Sequence, residues 1–191
     1  FSSARADAYV DFFRAVNVDN ADTVRELLAR GFDPNTKSEG GQVALFLAMR
    51  EDSPKVAAEL LASSALNVDA ANAVGETALM MAALKGRTEW VKKLIDRGAK
   101  VQKPGWSAVH YAATGPSTEV LALLLDRGAE VNALAPNRST PLMLAARYGP
   151  EENVRLLLQR GADKKLINDR NLSAADMART ADRTALLPLL Q

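Results

Sequence analysis

The sequence predicts an all-α chain of about six stacked helix-turn-helix units, and three observations predict it. The first is composition. Of 191 residues, 48% are hydrophobic but only 5% aromatic, which points to a core of small and aliphatic helix-forming side chains. The second is spacing: the small polar residues Thr77, Ser107, Thr140 and Ser173 follow one another at intervals of 30, 33 and 33. The third is an independent landmark with the same intervals, the pairs Gly98-Ala99, Gly128-Ala129 and Gly161-Ala162. Two landmarks that share one spacing mark an internal repeat, and a period of roughly 33 residues belongs to stacked repeat architectures.

The units run in order over approximately 6–38, 39–72, 73–102, 103–135, 136–168 and 169–191, a single domain of repeats. The first, around "DAYVDFFRAVNVDNADTVRELLARGFDPN", opens on Val10-Asp11-Phe12 in place of the usual small polar residue and carries acids along its first helix. That suits a solvent-facing terminal cap. The second places Val43-Ala44-Leu45 34 residues before Thr77-Ala78-Leu79, and ends on Ser64-Ala65-Leu66-Asn67 where later units have Gly-Ala. Between the third and fourth, Gly98 and Ser107 lie 9 apart, against 12 for Gly128 and Thr140. Three residues are missing from the connecting finger, so local irregularity is expected at both joints. The fifth unit is the template. Thr140 before Pro141 reads as an N-cap followed by proline in the first turn, with Leu142, Ala145 and Ala146 on one face. Gly149 breaks that helix, Pro150-Glu151-Glu152 starts another with acids at its positive end, and Val154, Leu157 and Leu158 form its apolar stripe. Gly161 ends it in a left-handed cap. The sixth, "LSAADMARTADRTALLPLLQ", keeps the pattern and closes as a second cap.

Gly-x-Thr-Pro-Leu-x-x-Ala-Ala followed by Leu-Leu-x-x-Gly-Ala resembles the ankyrin repeat. Gly75-Glu76-Thr77-Ala78-Leu79, Gly105-Trp106-Ser107-Ala108-Val109-His110 and Ser139-Thr140-Pro141-Leu142 carry it most clearly. The resemblance implies a solenoid of helix pairs joined by hairpin-like fingers. It also expects a structural histidine, which only His110 supplies; Phe46, Met80 and Met143 stand at the other positions, so most of the polar network between repeats is expected to be missing.

Composition excludes several function classes. Lys plus Arg number 24 against 23 acids, a net charge of +1, with −3 over residues 1–96 and +4 over 97–191. No basic stripe of a nucleic-acid binder is present. No apolar run approaches the length of a membrane span, and the absence of cysteine removes disulfides, thiol catalysis and Cys-type metal sites. His110 lacks the companions of a catalytic base or a metal ligand. The acid pairs Glu51-Asp52 and Glu151-Glu152 are expected between helices, at helix N-termini. The sequons at Asn137 and Asn171 arise from the repeat pattern itself. No catalytic residue, cofactor or metal is expected; an enzyme would need convergent polar groups, and this surface offers scattered ones. Trp90 aligns with aliphatic second-helix positions and is expected in the core.

The resemblance implies a non-enzymatic module that binds another protein through the concave face of its first helices and its fingers. Carried over by position, the surface comprises Trp106, Arg147, Tyr148, Tyr111, Leu84, Lys85 and Arg50, with Lys103 and Arg138 on finger tips. Trp106, Arg147 and Tyr148 are the expected hot spot, being of the residue types that dominate interface energies. The N-terminal unit further resembles small exported ankyrin proteins of proteobacteria. Together with Phe1 in place of Met and the lack of cysteine, this raises the expectation of a processed periplasmic chain whose partner is an envelope enzyme that it inhibits. A cytoplasmic location is the alternative to a periplasmic one, and a scaffold that self-associates through its repeat ends is the alternative to a monomer that binds a different protein.

Overall fold

The computed structural model describes residues 3–191. Among the described residues twelve helices follow one another: α1 (Ser3–Asn17), α2 (Ala21–Ala29), α3 (Ala44–Arg50), α4 (Pro54–Ala62), α5 (Ala78–Leu84), α6 (Thr88–Asp96), α7 (Ala108–Thr114), α8 (Thr118–Asp126), α9 (Pro141–Tyr148), α10 (Glu151–Gln159), α11 (Ala174–Thr180) and α12 (Leu187–Leu190). A 3-10 turn at Thr184–Leu186 precedes the last. Among the described residues there is no strand; one isolated antiparallel bridge joins Lys37 and Val43. The chain is thus the expected all-helical repeat array, a first and a second helix in each unit, and α1 is the exception in length. Its 15 residues begin well ahead of the position where the repeat template starts its first helix.

Residues up to Met81, with Lys93–Ala99, form one compact unit; Ala82–Lys92 and Lys100–Gln191 form a second, the boundary falling within α5 and α6. In the first unit α1 packs beside α3 and α2 beside α4, with each first helix against its own second helix. Phe12, Val16, Val24, Leu45, Phe46, Val56 and Leu60 fill the space between the rows. In the second unit α7, α9 and α11 lie side by side, and α8 packs beside α10 behind them. Their core is Val109, Ala112, Val120, Leu121, Leu124, Leu142, Ala145, Val154 and Leu157. Each helix is too short to persist alone in water, so burial between layers holds them.

The caps follow the residues that predicted them. Thr140 accepts the amide of Met143 at 3.2 Å, Pro141 opens α9, and Gly161 sits at φ 86° beyond α10. Where the second repeat lacks that glycine, Arg97 donates to the carbonyls of Leu61 and Ser63 at 3.1 and 2.9 Å. Glu151 and Glu152 occupy the first turn of α10 as expected. The other acid pair does not: Glu51 lies at the C-terminal end of α3, where it pairs with Arg50, and Asp52 takes φ 54°.

The first helices approach one another closely at their C-terminal ends. A Cβ on Gly149 would collide with the carbonyl oxygen of Ala113, and one on Gly115 would lie 2.8 Å from that of Leu84. Neither glycine needs an unusual φ; the contact itself requires them. Opposite those ends, the fingers repeat one bond: Ser38 to Gln42, Asn72 to Glu76, Ala135 to Ser139 and Asn168 to Leu172, each amide to carbonyl at 2.8–3.0 Å.

Candidate partner-binding surface

Every first helix from α5 to α11 begins with the same local arrangement, made by three different chemistries at four helices. The amides of Thr77 and Thr140 each donate to a methionine sulfur, Met80 and Met143, at 3.4 Å. The amide of Ser107 donates to Nδ1 of His110 at 3.1 Å, and that of Ser173 to Asp176 at 2.9 Å. The side chain three residues into the helix replaces the missing backbone acceptor. With Nδ1 accepting, the His110 proton lies on Nε2, which donates to the carbonyl of Ala133 at 2.9 Å. Methionine keeps the first bond and cannot make the second, so the polar network is thinned rather than absent. Burial holds the His110 pKa below the ordinary imidazole value, despite its backbone bonds. His110 is a buried structural residue.

The expected contact residues separate into groups. Trp106, half-buried ahead of α7, packs edge-on to the His110 ring with centroids 5.5 Å apart. Lys103 is also half-buried, and its ammonium donates to the Trp106 carbonyl at 2.8 Å. Both therefore serve the finger as well as offering surface. Arg147 and Tyr148 end α9. The Arg147 Nε donates to the Tyr148 hydroxyl at 2.7 Å, and its Nη1 donates to Thr180 at 2.8 Å. Tyr148 is 61% exposed. Because α7 and α9 run the same way from the finger side, Trp106 and the Arg147–Tyr148 pair lie at opposite ends of the row, about 10 Å apart along the helix axis. The structure does not gather them into one cluster.

Tyr111 and Leu84 are half-buried on α7 and α5, Lys85 follows α5, and Arg50 lies in the first compact unit with its Nε 2.7 Å from Glu51. Arg138 is exposed on its finger at φ 61°. The matching positions hold Gly41, Gly75 and Gly105 at φ 73–85°, and Asn171 at φ 59°. A left-handed conformation costs a residue with a Cβ roughly 1–2 kcal/mol, so Arg138 is kept at a position suited to glycine. Trp90 is half-buried, not enclosed, although Val56, Val120 and Asn153 at the equivalent positions are fully buried; the indole is larger than either valine or asparagine.

Asn153 is a residue the apolar pattern hides. Its amide donates to the carbonyls of Ala112, Ala113 and Gly115 at 3.1–3.2 Å, and its oxygen accepts from Thr118 at 2.7 Å. Arg183 treats the end of α9 in the same way, donating to Ala145 and Ala146 at 3.0 Å. Among the described residues, no group of three or more His, Cys, Asp or Glu could hold a metal ion, and no helix is long and apolar enough to cross a membrane.

Comparison with known proteins agrees with this architecture. The family model for ankyrin repeats (3 copies) matches residues 12–104 and 100–168. The chain is similar to the B-cell lymphoma 3 protein of Homo sapiens, 38% identical over 164 residues, or 82% of this chain and 36% of that protein. Its Mus musculus homolog is 34% identical over 166 residues, 83% of this chain and 37% of that protein. The Drosophila melanogaster tyrosine-protein kinase Shark is 30% identical over 185 residues, 94% of this chain and 20% of that protein. The chain thus spans little more than a third of the B-cell lymphoma 3 proteins. With the repeat spacing, the paired helices and the shared cap geometry all in agreement, the chain belongs to the ankyrin repeat family.

Proposed function

We propose that the chain is a non-enzymatic binding module that holds one partner protein against the first-helix face and the fingers of its second compact unit. Ankyrin repeats generally mediate protein–protein interaction, which supports a protein as the partner. The observation that carries the choice of surface is the backbone at Arg138: an exposed cation is held in a left-handed conformation where three other fingers use glycine and one asparagine. Strain of this kind persists when it serves a site. Tyr148 and Arg147 extend the surface along α9 to its far end, and Trp106 and Tyr111 border it on α7. Such a preformed surface needs little ordering on association.

The test is affinity capture with the intact chain and with two folded variants, Arg138→Gly and the triple change Trp106→Ala, Arg147→Ala, Tyr148→Ala. One protein held by the intact chain and lost by both variants is the expected result. Equal capture by all three would overturn the assignment of this surface. The narrower reading, an inhibitor of an envelope enzyme in an exported chain, is supported by the likeness of the N-terminal stretch to exported ankyrin proteins; fractionation of the producing cells tests it. A partner captured from the cytoplasm alone would count against it.

A further inference from the structure

We infer that Arg147 and Tyr148 form a carboxylate-reading pair, so that the partner of the first-helix face presents an acidic side chain to the end of α9. This rests on the reading of that face as a partner surface and adds the chemistry of what it takes.

The inference follows from an inventory of protons. A guanidinium carries five N–H donors. Arg147 gives one to Tyr148 and one to Thr180, so three remain, including both on Nη2. The Thr180 hydroxyl passes its own proton to the Met177 carbonyl at 2.9 Å. The Tyr148 hydroxyl accepts from Arg147 and donates to no acceptor among the described residues. Beside the three spare N–H groups there is therefore a spare O–H, on a side chain that is 61% exposed. Two oxygens of one carboxylate can engage a guanidinium edge and a neighbouring hydroxyl together.

Charge points the same way. Arg25, Arg155, Arg160 and Arg179 each pair with an acid of this chain; Arg147 is held by two neutral hydroxyls. Two nearby acids are engaged, Glu151 with Arg155 at 2.6 Å and Asp176 with Arg179 at 2.9 Å. A helix C-terminus ordinarily repels an anion. Here Arg183 donates to the carbonyls of Ala145 and Ala146, which offsets the negative end of α9 just behind the pair. The two hydroxyls and the Tyr148 ring, 5.2 Å from the guanidinium carbon, fix a side chain that would otherwise lose rotamer freedom on binding.

The test is selection of a displayed random peptide library against the intact chain, with the selected peptides synthesised as C-terminal amides. The expected peptides each contain an Asp or Glu whose change to the amide residue weakens binding roughly tenfold, the scale of one charge-assisted hydrogen bond. Arg147→Gln and Arg147→Lys should both weaken the same peptides, because an ammonium lacks the fork, and Tyr148→Phe should weaken them while leaving the thermal midpoint unchanged. Peptides that compete at Tyr148 but tolerate Gln for Glu would overturn the carboxylate reading and leave the surface standing. Peptides that bind only with a free C-terminus would overturn the acidic side chain as the ligand. Selection of no peptide sensitive to changes on α9 and α11 would overturn both.

Discussion

At the scale of single residues, the most telling positions are those where the repeat template is broken and the structure compensates. Arg138 occupies a glycine position at φ 61°. Arg138→Gly is therefore expected to stabilise the chain by about 1 kcal/mol, read as a higher denaturant midpoint, and to weaken partner binding. A stabilised variant with intact binding would remove the functional reason for the strain. His110 gives a pH signature. Its folded pKa lies below the unfolded value of 6.5 because it is buried, so between those two values the unfolded chain takes up a proton that the folded chain refuses. Stability is then complete above about pH 6.5 and falls as the pH drops through that window, by at most about 1.4 kcal/mol per pH unit. Denaturation of His110→Met at several pH values should lack this slope, since Met80 and Met143 hold the same position without a titrating group. Both positions were visible in the alignment of repeats. The histidine's neighbours were not, because Ala133 lies 23 residues away and contributes only a carbonyl.

At the scale of elements, helix order and nearly all caps were legible in the sequence, since capping is local chemistry. Thr140-Pro141 and Gly161 mark their helix ends unaided. What was not legible depends on the neighbouring layer. Asn153 sits at a position that is valine in two other repeats, yet it supplies the partners for three carbonyls at the end of α7. Asn153→Val keeps a side chain that fits the equivalent sites but orphans those carbonyls, and is expected to cost about 2 kcal/mol by chemical denaturation. Gly149 reads as a helix breaker. The structure adds a second reason, the close approach of the Ala113 carbonyl, so Gly149→Ala should destabilise by about 3 kcal/mol through overpacking; a change below 1 kcal/mol would mean that the layers can part without penalty. The spread of the expected hot spot is likewise a matter of neighbouring layers. Equivalent positions on adjacent repeats share a face, but Trp106 precedes a helix and Tyr148 ends one, and sequence adjacency of repeats does not shorten that distance.

At the scale of the whole molecule, the layers within each compact unit hold one another, which makes a terminal layer important to solubility. α9 packs against α11, and its apolar Leu142 and Met143 are buried. Ending the chain at Asn168 would remove α11 and uncover the side of α9 that it covers. Sedimentation velocity is expected to show the intact chain as a monomer and the shortened one as concentration-dependent larger species. The methionines that stand in for histidine bring one more consequence. Met80 and Met143 are buried at the starts of α5 and α9, one in each compact unit, with their sulfurs seated on backbone amides. Labelling the methionine methyl groups with carbon-13 therefore places a spectroscopic reporter at a helix start in each unit. Neither reporter titrates, so any shift of their resonances in acid records the opening of a layer and not the protonation of the reporter.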